Sequence, residues 1–391
     1  MSKASSQASL TGTVTSHGTI RAALASLLLV SLFAVVGWTL YAPHQETLPS
    51  AAVASRQTPR PSQQRCAECH ADITDAYATA PHSRTLVRTS DASVIEQFAG
   101  RTFHQEETGV ELSYTQHDGR LWVSTPAYGR DVPIEWVFGS GTHARTPLIT
   151  WTDEVGRTAS IEHSVSWYPE GQLGVTLGLE DRQETSGVGV LGAVRTPAET
   201  LNCFGCHCTF VATTGHQVDF DEIQPGVGCV RCHWNTEEHV REMDNALPST
   251  IERFSAMTPI EAVNRCGECH RRAEEMGGPI EPDDPTIIRF ASVGLPQSPC
   301  FQQQQKVILD SNEPARLDCT TCHNPHRPTN PDWRFHAAVC LNCHDADQGR
   351  ALDCSAATRE ENCLSCHMPK VPANDNLQFT DHWIRIRPSV P

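Results

Sequence analysis

The sequence predicts a mainly α and irregular chain with one β-rich insertion and an N-terminal transmembrane helix. Three observations predict it. The pattern Cys-x-x-Cys-His occurs seven times and uses 14 of the 17 cysteines. Between the first and second copies, over about residues 98–195, the pattern changes to short alternating segments separated by turn residues. Residues 22–42 form a run of 21 positions without a charge.

The seven copies are Cys66/Cys69/His70, Cys203/Cys206/His207, Cys229/Cys232/His233, Cys266/Cys269/His270, Cys319/Cys322/His323, Cys340/Cys343/His344 and Cys363/Cys366/His367. Two thiols one helical turn apart can each bond a vinyl group of haem, and the following histidine presents an imidazole to the iron. A zinc framework would not demand histidine after every Cys-x-x-Cys pair. The motifs therefore imply seven haem c groups (iron), each held by two cysteines and one proximal histidine. The fold class follows: a mainly α/irregular multihaem cytochrome fold organised by stacked haems, with the β-rich insertion and the N-terminal helix. The motif starts are spaced unevenly, which argues against a solenoid.

Apolar residues make up 39% of the chain and aromatics 6%, a modest supply for a large side-chain core. Porphyrins would supply the missing apolar bulk, so the fold should depend on them. A formal charge of −16 argues against nucleic acid and favours cationic redox partners. The run at 22–42 is long enough to span a bilayer as a helix. Lys3 and Arg21 precede it, and Trp38 and Tyr41 close it at interfacial positions, which sets residues 1–21 in the cytoplasm. A cleaved signal is the alternative, with Ala52-Val53-Ala54 as its site, although this lies well beyond the apolar run. Either way the remainder is exported, to the periplasmic side of the cytoplasmic membrane if the helix is retained. Residues 43–62, with four prolines, read as a linker.

The first haem site occupies 63–97, where a short helical pattern from Asp72 to Ala80 stops at Pro81. Within the β-rich block, 110–114 and 121–123 flank His117-Asp118-Gly119, a hairpin signal, with further strands expected at 134–138, 148–151 and 174–177. Residues 196–391 carry the other six motifs. There 237–243 reads as helix, Thr258-Pro-Ile-Glu261 as a helix start, and 276–299 as a proline-rich surface connection. Cys300 and Cys354 are a candidate disulfide in an oxidising compartment, and Cys208 is left over.

Several stretches resemble a known family: Cys66-Ala-Glu-Cys-His70 with His82, Gly139-Ser-Gly-Thr-His-Ala-Arg145, Ser166-Trp-Tyr168, Gly226-Val-Gly-Cys-Val-Arg-Cys-His233 with His239, Cys319-Thr-Thr-Cys-His-Asn-Pro-His326, and Cys363-Leu-Ser-Cys-His-Met-Pro-Lys370. Over about residues 60–385 the chain resembles the multihaem cytochrome c group of cytochrome c-554, hydroxylamine oxidoreductase and pentahaem nitrite reductase. The resemblance makes His82, His143, His239, His326 and His382 the first candidates for the second axial position, His382 within the tail Thr380-Asp-His-Trp383. His104 and His216 complete a set of seven. His117, His163 and His336 are left as surface or supporting residues. Only four methionines lie beyond residue 50, so bis-histidine ligation is expected. His326 follows His323 too closely to reach the far face of the same haem, and should serve a neighbour. Arg145, Arg231 and Lys370 are candidate partners of haem propionates.

Three function classes fit. The first is an electron carrier linking redox partner proteins, one of them a quinol-linked donor. The second is an oxidoreductase acting on a small nitrogen or sulfur compound at one open haem. The third is a wiring subunit that docks through the β-rich block. The resemblance implies a lysine in the active motif of a nitrite reductase, or a tyrosine beside the active haem of a hydroxylamine oxidoreductase. No Cys-x-x-Cys-Lys occurs, and Tyr77, Tyr114, Tyr128 and Tyr168 lie outside the motifs. The carrier reading is therefore preferred, without catalytic residues.

Overall fold

Strands outnumber what the motif pattern alone suggests, and they gather into one body before the second motif. The computed structural model describes residues 62–282, 284–307, 314–344 and 362–387. These belong to one unit, residues 50–391. The predicted anchor at 22–42, nearly all of the linker 43–62, and Cys354 lie outside the described residues. Among the described residues no helix is long and apolar enough to cross a membrane.

The β body contains β1 (Leu86–Arg88), β2 (Thr102–His104), β3 (Glu111–His117), β4 (Arg120–Ser124), β5 (Val132–Ile134), β6 (Trp136–Phe138), β7 (Thr146–Thr152), β8 (Thr158–His163), β9 (Val165–Trp167), β10 (Leu173–Val175) and β11 (Gly192–Arg195). One antiparallel sheet runs β1-β6-β7-β8-β11 and a second runs β2-β3-β4-β5, while β9 and β10 pair with each other. The first sheet therefore begins at Leu86, inside the segment assigned from sequence to the first haem site. The hairpin expected at Asp118-Gly119 forms: both residues have positive φ, as a tight turn between twisted strands requires. The single strand expected at 134–138 divides at Glu135, with β5 in one sheet and β6 in the other. Glu135 secures that corner by accepting hydrogen bonds from the Thr150 amide and hydroxyl. The core holds Val94, Phe98, Leu112, Tyr114, Leu121, Val123, Ile134, Val137 and Ile161, all nearly inaccessible to solvent. Alternation along β3 and β4 places these side chains on the inner faces.

His163 also belongs to this core. It is 0% exposed, its Nδ1–H donates to the Leu191 carbonyl, and its Nε2 accepts from the Tyr114 hydroxyl at 2.6 Å. The expectation of a surface or supporting position is corrected by that burial. Its place on the inward face of β8 could have signalled it.

Beyond the β body the described residues form mostly short helices and two further hairpins, β12 (Cys208–Thr214) with β13 (Gln217–Pro225), and β14 (Lys370–Asn374) with β15 (Leu377–Thr380). The helices Pro197–His207 and Pro259–His270 each start at a threonine cap, with proline in the first turn and a capping glutamate, Glu199 or Glu261. Each ends on a motif histidine. The expected surface connection at 276–299 instead folds into short helices that bury Ile287, Val293 and Leu295. Prolines at the first turns start these helices rather than forbid them.

Candidate functional site

Motif residues converge on a single cavity of about 3020 Å³. This is several times the roughly 300–1,000 Å³ of a small-molecule pocket. All seven motif histidines and every attachment cysteine except Cys203 line it. The apolar shortage noted in the composition is thus concentrated where side chains leave the interior open.

Non-motif histidines divide sharply. His82, His143, His239, His326 and His382 line the cavity, and so does His336. His104 is exposed on β2 and His216 in the turn after β12, both outside the cavity lining. His117 packs at the Asp118-Gly119 turn against Trp122.

Five of the cavity histidines lie near a motif histidine, His336 and His382 sharing His323; His336 is held through its Nε2, and the other four form pairs. Ring centroids are 6.3 Å apart for His70 and His239, 6.0 Å for His82 and His270, 6.1 Å for His233 and His326, and 6.2 Å for His323 and His382. Two imidazoles on opposite sides of one metal, each bonded at about 2 Å with its centroid about 1 Å further out, lie about 6 Å apart. Ordinary aromatic pairs adopt similar spacings. Here, however, each pair joins one motif histidine to one non-motif histidine. The residues present therefore fit haem.

Hydrogen bonding sets which nitrogen of each ring is available. Nδ1 of His207 donates to the Thr85 carbonyl at 3.0 Å, that of His367 to the Arg385 carbonyl at 3.1 Å, and that of His382 to the Thr380 carbonyl at 2.9 Å. His239 Nδ1 bonds the Ser249 hydroxyl at 2.9 Å. Such bonds fix the tautomer and leave Nε2 for a metal. His336 is held the other way, by Nε2 on the Asn330 carbonyl, although its ring lies 5.8 Å from that of His323. Both nitrogens of His163 are occupied, and it is not available as a ligand.

Burial favours the neutral form, the one that binds iron, at several of the cavity imidazoles. It lowers His82, His207 and His382 below the usual imidazole range. His270 opens onto the cavity, yet the protein packed around it, reinforced by neighbouring imidazoles, pushes it down to about 4. His323 is likewise pushed down to about 4. Several thiols move up: burial raises Cys203, Cys232 and Cys322 to about 11 and Cys340 to about 12, whereas hydrogen bonds from Cys206 and Cys319 lower Cys269 and Cys266. Those raised are protonated thiols rather than thiolates. Thiols of different motifs also meet, Cys66 with Cys229, Cys206 with Cys269, and Cys266 with Cys319.

Cations suggested by the sequence take different places. Arg231 lines the cavity and donates to the Gly205 carbonyl at 2.8 Å. Lys370 lies beside His143, which also packs against Phe379. Arg145 turns into the β body, where it is 5% exposed and bonds Ser93 and Gln97. Sequence reasoning missed Tyr77, whose hydroxyl donates to the Val227 carbonyl and whose ring packs edgewise on His326. It also missed the cavity position of His336. His336 precedes Cys340 by four residues, which puts both on one helix face and was a usable signal.

A search of curated proteins finds no match. Among solved structures, the crystal structure of outer cell wall cytochrome OcwA aligns at 15% identity with a TM-score of 0.33, over 83% of this chain and 65% of that one. A family model described as cytochrome c554 and c-prime matches residues 176–233. That stretch contains two of the seven motifs, Cys203–His207 and Cys229–His233. Together with the repeated motif, the match supports a multihaem cytochrome c that carries haem c and its iron.

Proposed function

We propose that this chain is a seven-haem electron carrier, exported and held at the periplasmic face of the cytoplasmic membrane by residues 22–42. In this reading it transfers single electrons between redox partner proteins, one of them a quinol-linked donor. The observation that carries it is the set of four cavity-lining pairs between a motif and a non-motif histidine. His239 then completes the site of Cys66 and Cys69, His326 that of Cys229 and Cys232, His82 that of Cys266 and Cys269, and His382 that of Cys319 and Cys322. His143, beside Lys370, is assigned to the site of Cys363 and Cys366. His104 and His216 leave the ligand set. Bound haem supplies a one-electron couple at each site, and two imidazoles on an iron close it to substrate.

The chain's own residues do the rest. Carbonyls and hydroxyls orient imidazoles, burial favours the neutral form of His82, His207, His270, His323 and His382, and thiol contacts between motifs make the sites neighbours. Those contacts support an order in which the Cys66 and Cys229 sites adjoin, and the Cys266 site adjoins both the Cys203 and the Cys319 sites.

A second reading, an oxidoreductase with an open site, is kept for the two motif histidines that are given no paired imidazole here, His207 and His344; the ring of His207 packs edge-on against Phe138 at 4.8 Å. Mass spectrometry of the purified protein should show seven haem additions, and low-temperature EPR should show low-spin iron predominating. Fewer than six haems, or mainly high-spin iron, would overturn the carrier reading. A single high-spin signal lost in a Cys203→Ala/Cys206→Ala variant would favour the second reading. Retention in membranes after a high-salt wash tests the anchor.

A further inference from the structure

Residues 381–387 carry one cavity imidazole, His382, and hold a second, His367, and one carboxylate braces the stretch. Asp381 is 1% exposed. Its amide donates to the Pro369 carbonyl at 3.0 Å, two residues after His367. Oδ1 accepts from the Trp383 amide at 2.9 Å, and Oδ2 receives Arg385 at 2.7 Å and also Arg387. The Arg385 guanidinium further donates to the carbonyls of Trp383 at 3.0 Å and Pro282 at 2.8 Å.

Two cavity-lining imidazoles hang on this short stretch. His382 is the next residue, with its own carbonyl accepting from the Ser298 hydroxyl, which in turn accepts from the Ile384 amide at 2.8 Å. His367 donates from Nδ1 to the backbone carbonyl of Arg385, the residue whose side chain Asp381 grips. The tail has little freedom to shift, since a Cβ placed on Gly294 would meet the Trp383 amide at 3.1 Å.

We propose that Asp381 is a positioning residue that fixes two haem ligands together, His382 directly and His367 through Arg385. This rests on the reading above that both imidazoles bind iron. A carbonyl holding Nδ1 sets the plane and basicity of its imidazole, and therefore the spectrum and potential of the iron it binds.

The test is Asp381→Asn in the full-length haem-loaded protein, which removes the charge and keeps the Oδ1 acceptor. The low-spin EPR signals and midpoint potentials of two haems should shift together, those of the Cys319/Cys322 and Cys363/Cys366 sites, while the other signals stay in place. His382→Ala and His367→Ala identify which signals belong to these sites. Arg387→Gln, which leaves Arg385 on Asp381, should give a smaller shift at the same two. Asp381→Glu should restore part of the wild-type spectrum. A shift confined to one site, spread over all sites, or absent would overturn the proposal. Should Asp381→Asn fail to fold, an unchanged Arg387→Gln spectrum overturns it. Wild-type protein lacking haem on Cys319 or Cys363 would overturn the haem reading itself, and the proposal with it.

Discussion

His326 lies opposite His233 with ring centroids 6.1 Å apart and planes 4° from parallel, although in sequence it follows His323 by three residues. The local chain explains the reach. Pro325 biases Asn324 away from helix, and the Asn324 side chain accepts from the His326 amide at 3.0 Å, which turns the residue out of the motif helix. Tyr77, beside the first motif, packs edgewise against the ring.

His326→Ala should convert one low-spin haem to high-spin, and that haem should be the one on Cys229 and Cys232. The spectrum of the Cys319 site should be unchanged. EPR of the oxidised variant against a Cys229→Ala/Cys232→Ala reference makes the assignment.

His104→Ala and His216→Ala should leave all low-spin signals as they are. Neither side chain reaches the cavity, and each is exposed, so stability should change by less than about 0.5 kcal/mol. Loss of a low-spin signal in either variant would return it to the ligand set.

Acid should weaken the β body through His163. Burial lowers its pKa to about 4 in the folded protein, against about 6.5 in an unfolded chain. Between these values the unfolded state binds more protons. Stability is therefore complete above about pH 6.5 and falls as pH drops toward 4, by roughly 3 kcal/mol in all. Denaturant melts of wild type and His163→Gln over this window should differ in slope, with the variant flatter.

Gly226→Ala should disturb the junction between the His82 turn and the motif that begins at Cys229. Gly226 has φ +76°, and an added Cβ would lie 2.2 Å from the Ser83 carbonyl oxygen. The cost should be on the order of 3 kcal/mol. Its spectroscopic sign is a changed signal from the haem proposed for Cys266 and Cys269, which His82 would complete.

Protein made without haem attachment should keep its β body and lose the rest. The core around Leu112, Leu121, Ile134 and Ile161 is closed by side chains alone, whereas the motif helices face the cavity. Hydrogen exchange of the unloaded chain should show protected amides in β3, β4, β7 and β8 and rapid exchange from residue 227 onward.

By itself the sequence determined the chemistry that is local to the chain. Cys-x-x-Cys-His needs only one helical turn, so all seven copies of the motif were legible, as were the Asp118-Gly119 hairpin and the Thr258 cap. The second axial partner is a long-range matter. His239 faces His70, and His82 faces His270, because separate helices converge, and neither spacing nor composition encodes that. The same holds for the carbonyls of Thr85, Thr380 and Arg385 that orient imidazoles, since every residue has one and only the fold chooses which is near. Tertiary structure also separated His143 from His104 and buried His163, because a side chain's face of a strand or turn acquires meaning only when something packs against it.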